Sequence, residues 1–176
     1  MRDGSPNHYE RAFESWLLDH GVEYVKADEH KRPGPSHKSV KNFDFLLYPR
    51  PDRSVIVEVK GRTFKGASVA GLTGFECWVT ADDIESLQVW RRALGLDHEA
   101  VFAFAYRVAK ADVDFDGHEV LDVGPDRYLF FCIRLDDYCR HMKRRSPKWH
   151  TMTLSAESFR RCAIDLSAFL QDRTLS

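Results

Sequence analysis

Apolar residues first recur along the chain with helical spacing. Tyr9, Ala12, Phe13, Trp16 and Leu17 fall on one stripe of a helix. Pro6 suits its first turn, with Ser5 or Asn7 as the cap, and Gly21 ends it. The pattern then shortens to strand length. Val22 to Lys26 reads as a short strand, and residues 28 to 42 as a polar loop with two prolines. Phe43 to Tyr48 and Ser54 to Lys60 read as two more strands, with "PRPDR" at 49 to 53 supplying turn chemistry of hairpin length. Residues 61 to 76 hold four glycines and read as loop, with a short strand from Phe75 to Val79. Thr80 caps a second helix running to Leu94, with Asp83 at its third position and Gly95 past its end. "AVFAFAYRV", 100 to 108, is apolar nearly throughout and predicts a central strand covered on both faces. "YLFFCIRL", 128 to 135, predicts another, followed by a short basic helix from Asp136. Ser155 opens a last helix whose stripe is Phe159, Cys162, Ala163, Leu166, Phe169 and Leu170. The order α-β-β-β-α-β-β-β-α predicts one α/β domain, residues 1–176, around a mixed sheet.

Composition narrows the class. A 43% apolar share over 176 residues supports a real core and argues against disorder. The formal net charge of -1 leaves both nucleic-acid and small-molecule partners open, because a local patch matters more than the sum. The N-terminus lacks the apolar stretch of a signal peptide, and no apolar run is long enough to span a bilayer. Cys77, Cys132, Cys139 and Cys162 form no close pair, which fits reduced thiols in a cytoplasmic protein and argues against a zinc site. Oligomeric state is not written in the sequence, which is compatible with a homodimer.

Three charges interrupt the two hairpin strands. Side chains alternate faces, so Ile56, Glu58 and Lys60 share one face, and Asp44, Leu46 and Tyr48 share one on the other strand. With 49 to 53 as the loop, 48 pairs with 54, 46 with 56 and 44 with 58. Asp44 and Glu58 then face one another, roughly 4.5–5.5 Å apart at Cβ, where like charges destabilise. Lys60, on the same face, can relieve them as a partner in a carboxylate–lysine cluster. A divalent metal is the other solution, since Mg²⁺ takes one or two carboxylates and keeps waters. Truncating Asp44 to alanine would remove the repulsion, a gain on the order of 0.2–1 kcal/mol. On the first helix Glu10 borders the apolar arc and can reach the sheet, or can close a capping box with Asn7. Glu14 points further out.

"FDFLL" followed by "VIVEVKGR", which spaces the acids as D-x13-E-V-K, resembles the metal-binding hairpin of the PD-(D/E)XK nuclease superfamily. "HYERAFESWLLDHGV" resembles the first helix of archaeal Holliday junction resolvases, with Glu10 eleven residues before Gly21. Phe43 stands where the family has proline. The resemblance covers about residues 8 to 106, leaving about 107 to 176 as an extension with no named counterpart. It implies a restriction-endonuclease-like core, a central mixed β-sheet flanked by helices in the order α-β-β-β-α-β, with additional C-terminal strands and helix. It also implies a metal-dependent endonuclease acting on DNA with Mg²⁺ or Mn²⁺. Asp44, Glu58 and the Val59 carbonyl would be ligands. Glu10 would serve a second metal ion or one of its waters. Lys60 would orient or deprotonate the attacking water, and Gln88 on the second helix would be the further polar residue. A catalytically silent nucleic-acid-binding module on the same fold, or a nuclease acting on RNA, are the alternatives.

Two near-motifs fail on chemistry. "GASVAGLT", 66 to 73, places Leu72 where a phosphate loop needs lysine. "DVDFDG", 112 to 117, opens like a calcium loop but has Val123 at its twelfth position, and its alternation reads instead as an edge strand. The run "RHMKRRSPKWH", 140 to 150, carries five Lys or Arg, no acid and an aromatic. Lys143, Arg144 and Arg145 there are candidate phosphate contacts, as are Lys31, Arg32, Lys38 and Lys41 in the loop leading to Asp44, and Arg62 just past Lys60.

Overall fold

The computed structural model describes residues 7–27, 40–95 and 97–172. Helix α1 (His8–Asp19) starts where the Asn7 side chain accepts the Tyr9 N–H. It ends in a Schellman closure: Val22 N–H donates to Leu17 O, Gly21 N–H donates to Leu18 O, and Gly21 takes a φ of 64° that suits glycine. Strand β1 (Glu23–Lys26) follows, then the hairpin β2 (Phe45–Arg50) and β3 (Arg53–Phe64). β4 (Val79–Thr80) leads directly into α2 (Ala81–Leu94), where Thr80 and Asp83 form a reciprocal capping box. The chain continues through β5 (Glu99–Val108), β6 (Leu121–Val123), β7 (Asp126–Arg134), α3 (Leu135–His141), β8 (Lys143–Ser146) and β9 (Thr151–Thr153). It ends with α4 (Ala156–Cys162), β10 (Ile164–Asp165) and α5 (Leu166–Gln171).

Seven strands form a mixed sheet in the order β1-β2-β3-β5-β7-β10, with β6 also on β7. The parallel pair β3–β5 is joined by the α2 crossover; the remaining pairs are antiparallel. β5 is buried on both faces, as its unbroken apolar run requires. Helices α1 and α5 cover the face bearing Val55, Val57 and Val59. Helices α2, α3 and α4 cover the face bearing Ile56, Phe102 and Phe104. Arg53 ties the layers together. Its guanidinium, 4% exposed, grips Glu99 at 2.5 and 3.1 Å and donates to the carbonyls of Phe169 and Leu170 at the end of α5. Among the described residues no helix is long and apolar enough to cross a membrane.

Four expectations are corrected. The hairpin turn is two residues, Pro51 and Asp52, because the register shifts between Leu47 and Arg50; Leu46 pairs with Ile56 as expected, but Arg50 rather than Tyr48 starts the ladder. β3 does not stop at Lys60. It runs through Gly61 to Phe64 because β5 offers partners along its whole length. Val113 and Phe115 form no edge strand; Asp114 instead makes a single parallel bridge with Ser68, so the two failed motifs brace each other. The last helix is two helices. Phe159 and Cys162 pack on one face of the sheet, and Leu166, Phe169 and Leu170 on the other. One continuous helix cannot serve both, so the chain crosses at the sheet edge as β10. The short helix expected from Asp136 is α3; after it β8 pairs with β9, and β9 with β4, in a small second sheet.

Candidate active site

The site lies where β2 starts late. β2 begins only at Phe45, opposite Val57, while β3 continues to Phe64, so β3 has an open edge from Glu58 onward. Asp44 sits at that step. Its backbone N–H donates to Val57 O, and its carboxyl accepts the Val59 N–H at 2.7 Å, filling the next ladder position with a side chain. N–H and C=O of one strand residue point to the same edge, so the Val59 carbonyl also faces this opening. The segment before Asp44 is clamped to α2. Lys41 N–H donates to Ser86 Oγ, the Trp90 indole donates to Lys41 O, and Phe43 stands edge-on to Trp90 at 5.0 Å.

Glu58 and Lys60 project from β3 toward α2, and Asp83 meets them there. Lys60 Nζ lies 3.1 Å from Glu58 Oε1 and 3.0 Å from Asp83 Oδ2. The Asp83 side chain is only 4% exposed; it also accepts the Thr80 N–H at 2.9 Å and faces Lys41 Nζ at 3.4 Å. Glu10 comes from the opposite helical layer. The ring of Tyr9 lies directly on Gly61, where any Cβ would sit 2.0 Å from a ring carbon. That close approach brings the first turn of α1 onto β3 beside Lys60. The Glu10 charge then raises the pKa of both Asp44 and Glu58. Glu14 is turned away, accepting from Tyr24 Oη at 2.7 Å and pairing with Lys26 at 3.0 Å.

The electrostatics sort these groups. Burial first, then Glu58 and Glu10, push the Asp44 carboxyl up to about 8, against the opposing Val59 N–H and Lys60. Burial likewise pushes Glu58 up to about 7, outweighing Lys60, with Asp83 and Glu10 adding to the rise. Asp83 moves the other way: burial is overcome by Lys60 and the Thr80 N–H, which hold it below its ordinary value. Burial opposes the charge on Lys60, but Glu58 and Asp83 prevail and hold the ammonium above its ordinary range. Lys60 is therefore shared between Glu58 and Asp83, and the cluster still leaves Asp44 and Glu58 with raised pKa values.

A pH dependence follows. Folded-state pKa values raised above 3.8 and 4.5 mean that the folded protein binds protons the unfolded chain does not. The stabilisation is complete below the unfolded values and is lost as pH rises through about 7 to 8. Asp83, with its depressed pKa, contributes only to acid sensitivity below this window, and Lys60 only to alkaline loss above it. Without metal, thermal stability is expected to fall from pH 5 to pH 8, and Asp44→Asn to flatten the fall. Mg²⁺ should stabilise more at pH 8 than at pH 5, since ligands bind metal deprotonated. Unfolding scans at both pH values check this; a slope untouched by Asp44→Asn would place its origin elsewhere.

The remaining candidates are placed as follows. Gln88 is not brought to the site: its amide donates to Cys139 Sγ on α3, because the 3.6-residue period turns it toward that neighbour. Asp83, read in the sequence only as a capping residue, is α2's contribution instead. The capping-box signal was visible, but its second role needs Lys60 in space. Arg62 lies over the Trp78 ring at 3.9 Å and donates to the carbonyls of Gly61 and Trp78. Lys143, Arg144 and Arg145 are exposed on β8. Lys31, Arg32 and Lys38 lie outside the described residues. Among the described residues no group of three or more His, Cys, Asp or Glu is arranged to hold a metal ion. The four cysteines are free thiols.

A mixed sheet between helical layers, with a parallel crossover beside an interrupted hairpin, makes a restriction-endonuclease-like α/β fold. Among solved structures it is similar to Archaeoglobus fulgidus Hjc, a Holliday junction resolvase from an archaeal hyperthermophile. The TM-score is 0.56 at 13% sequence identity, over 93% of this chain and 98% of that chain. Coverage of that extent reaches well beyond residue 106, so the C-terminal strands and helices share in the likeness. No protein-family profile matches the chain. No curated protein sequence matches it.

Proposed function

We propose that this protein is a divalent-metal-dependent nuclease that hydrolyses phosphodiester bonds in DNA. The observation that carries the reading is the pair Asp44–Glu58, two partly buried carboxyls at an open strand edge, both pushed up by burial and by neighbouring acids. A hard oxygen donor set of two carboxylates and the Val59 carbonyl suits Mg²⁺ or Mn²⁺, which need few protein ligands. Asp44, Glu58 and Val59 would hold that ion, and Glu10 borders the same space. When bound, such an ion supplies a nucleophile near neutral pH and positive charge at the phosphoryl oxygen. Lys60, held protonated by Glu58 and Asp83, supports negative charge developing on the phosphate. Lys41 and Arg62 flank it as phosphate contacts.

The silent binding module is the second reading. One observation favours it: Lys60 bridges Glu58 and Asp83 as an internal carboxylate–lysine cluster. The test is nicking of supercoiled plasmid across a Mg²⁺ and Mn²⁺ titration, with an RNA substrate in parallel. Metal-dependent nicking that Glu58→Gln removes is the expected result. DNA binding with no nicking at any metal concentration selects the silent module, and cleavage of RNA alone changes the substrate.

A further inference from the structure

The hairpin that carries the acid-free basic run ends in an indole that packs into neither core cluster. Trp149 is 67% exposed at the tip, and Lys148 Nζ lies 5.1 Å from its ring centroid. Lys143, Arg144, Arg145 and Lys148 are all exposed, and none pairs with a carboxylate among the described residues. We propose that the β8–β9 hairpin is a nucleic-acid arm on which Trp149 stacks an unpaired base, so that the enzyme favours DNA with an unpaired segment near the scissile bond. The proposal rests on the nuclease reading and adds the substrate class to it.

Three features argue for a base as the occupant. The indole has Lys148 over its ring and shares its hairpin with the exposed Lys143, Arg144 and Arg145, whereas the centre of a protein–protein interface is depleted in charge. A nucleotide offers the complementary chemistry, a π-face for the indole and a phosphate for the neighbouring ammonium and guanidinium groups. The tip is also held in place before any ligand arrives. Trp149 N–H donates to Ser146 Oγ at 3.3 Å, His150 N–H donates to Pro147 O at 3.4 Å, and His150 O accepts from Ala81 N–H at 2.8 Å. A preformed turn loses little freedom on binding. Its root is the candidate site itself. Thr151 pairs with Thr80, and Thr80 caps α2 through Asp83, the partner of Lys60. In a duplex every base face is already stacked, so the indole has a partner only where a base is unpaired or displaced.

The test is equilibrium binding of labelled DNA without added metal, to a single strand, a bulged duplex and a continuous duplex of the same length. Trp149→Ala is expected to weaken the first two by roughly tenfold or more, the range of one lost base stack, and the continuous duplex by less than about twofold. Trp149→Phe should recover most of the loss. The salt dependence should keep its slope in both variants, whereas replacing Lys143, Arg144 and Arg145 with alanine should lower it by roughly 0.9 per lost duplex phosphate contact. Equal effects of Trp149→Ala on all three DNAs, or none, overturn the stacking arm. If the basic variant still weakens binding in that case, the nuclease reading stands. A wild-type protein that binds none of these DNAs overturns both.

Discussion

Asp44→Asn is expected to reduce Mg²⁺-dependent nicking by at least about a hundredfold, since a bound metal contributes several kcal/mol to such a reaction. The folded protein should survive the change. The asparagine oxygen can still accept the Val59 N–H that Asp44 holds at 2.7 Å. The substitution also removes one member of a like-charge pair, a relief of about 0.2–1 kcal/mol for charges across strands. Alanine differs. It leaves the Val59 N–H without its acceptor, at a cost of about 1–3 kcal/mol where water is excluded. That exceeds the relief, so Asp44→Ala should destabilise the metal-free protein, opposite to what strand pairing alone implies. The checks are plasmid nicking and urea unfolding at pH 8 of both variants. Full nicking by Asp44→Asn would remove Asp44 from the metal site, and equal stabilities for the two variants would deny the hydrogen bond its weight.

Lys60→Met should cost the metal-free protein about 2–3 kcal/mol, at or below the range for breaking a buried ion pair. The ammonium touches Glu58 at 3.1 Å and Asp83 at 3.0 Å, and Asp83 is almost wholly out of water. The loss is limited because Thr80 N–H and Lys41 still serve Asp83, and burial already raises the Glu58 pKa, so that carboxyl can take up a proton once the ammonium is gone. Adding Asp83→Asn should restore most of the stability, with a coupling of about 1–3 kcal/mol between the two changes. Nicking should stay low in the double variant, because the positive charge at the phosphate is gone. Urea unfolding of the two single variants and the double variant, with nicking assays alongside, provides the cycle. Strictly additive losses would show that Lys60 and Asp83 do not depend on each other.

Much of the architecture was legible because it rests on local rules. The stripe from Tyr9 to Leu17, the Gly21 stop, the Thr80–Asp83 capping box and the apolar run of β5 each follow from periodicity and backbone chemistry within a few residues. The stripe from Phe159 to Leu170 shows the limit of that logic. Its spacing is helical, yet its two halves pack on opposite faces of the sheet. Periodicity records that residues are buried, not against what. Gly61 and Gly66 read alike in sequence. Only Gly61 lies in a strand, and there the Tyr9 ring occupies the place of its side chain.

At the candidate site the division falls between residue type and partnership. The sequence by itself determined that Glu58 and Lys60 share one face of an apolar strand, because strand alternation leaves their faces little freedom, and that Asp44 stands next to the neighbouring strand. Tertiary structure alone decided how they pair. The late start of β2 sent the Asp44 carboxyl to the Val59 N–H, and the docking of α2 on β3 gave Lys60 to Asp83, 23 residues along the chain. Contacts across that separation depend on helix phase and on where a strand begins. Both are set by the packing of whole layers, which no local pattern encodes.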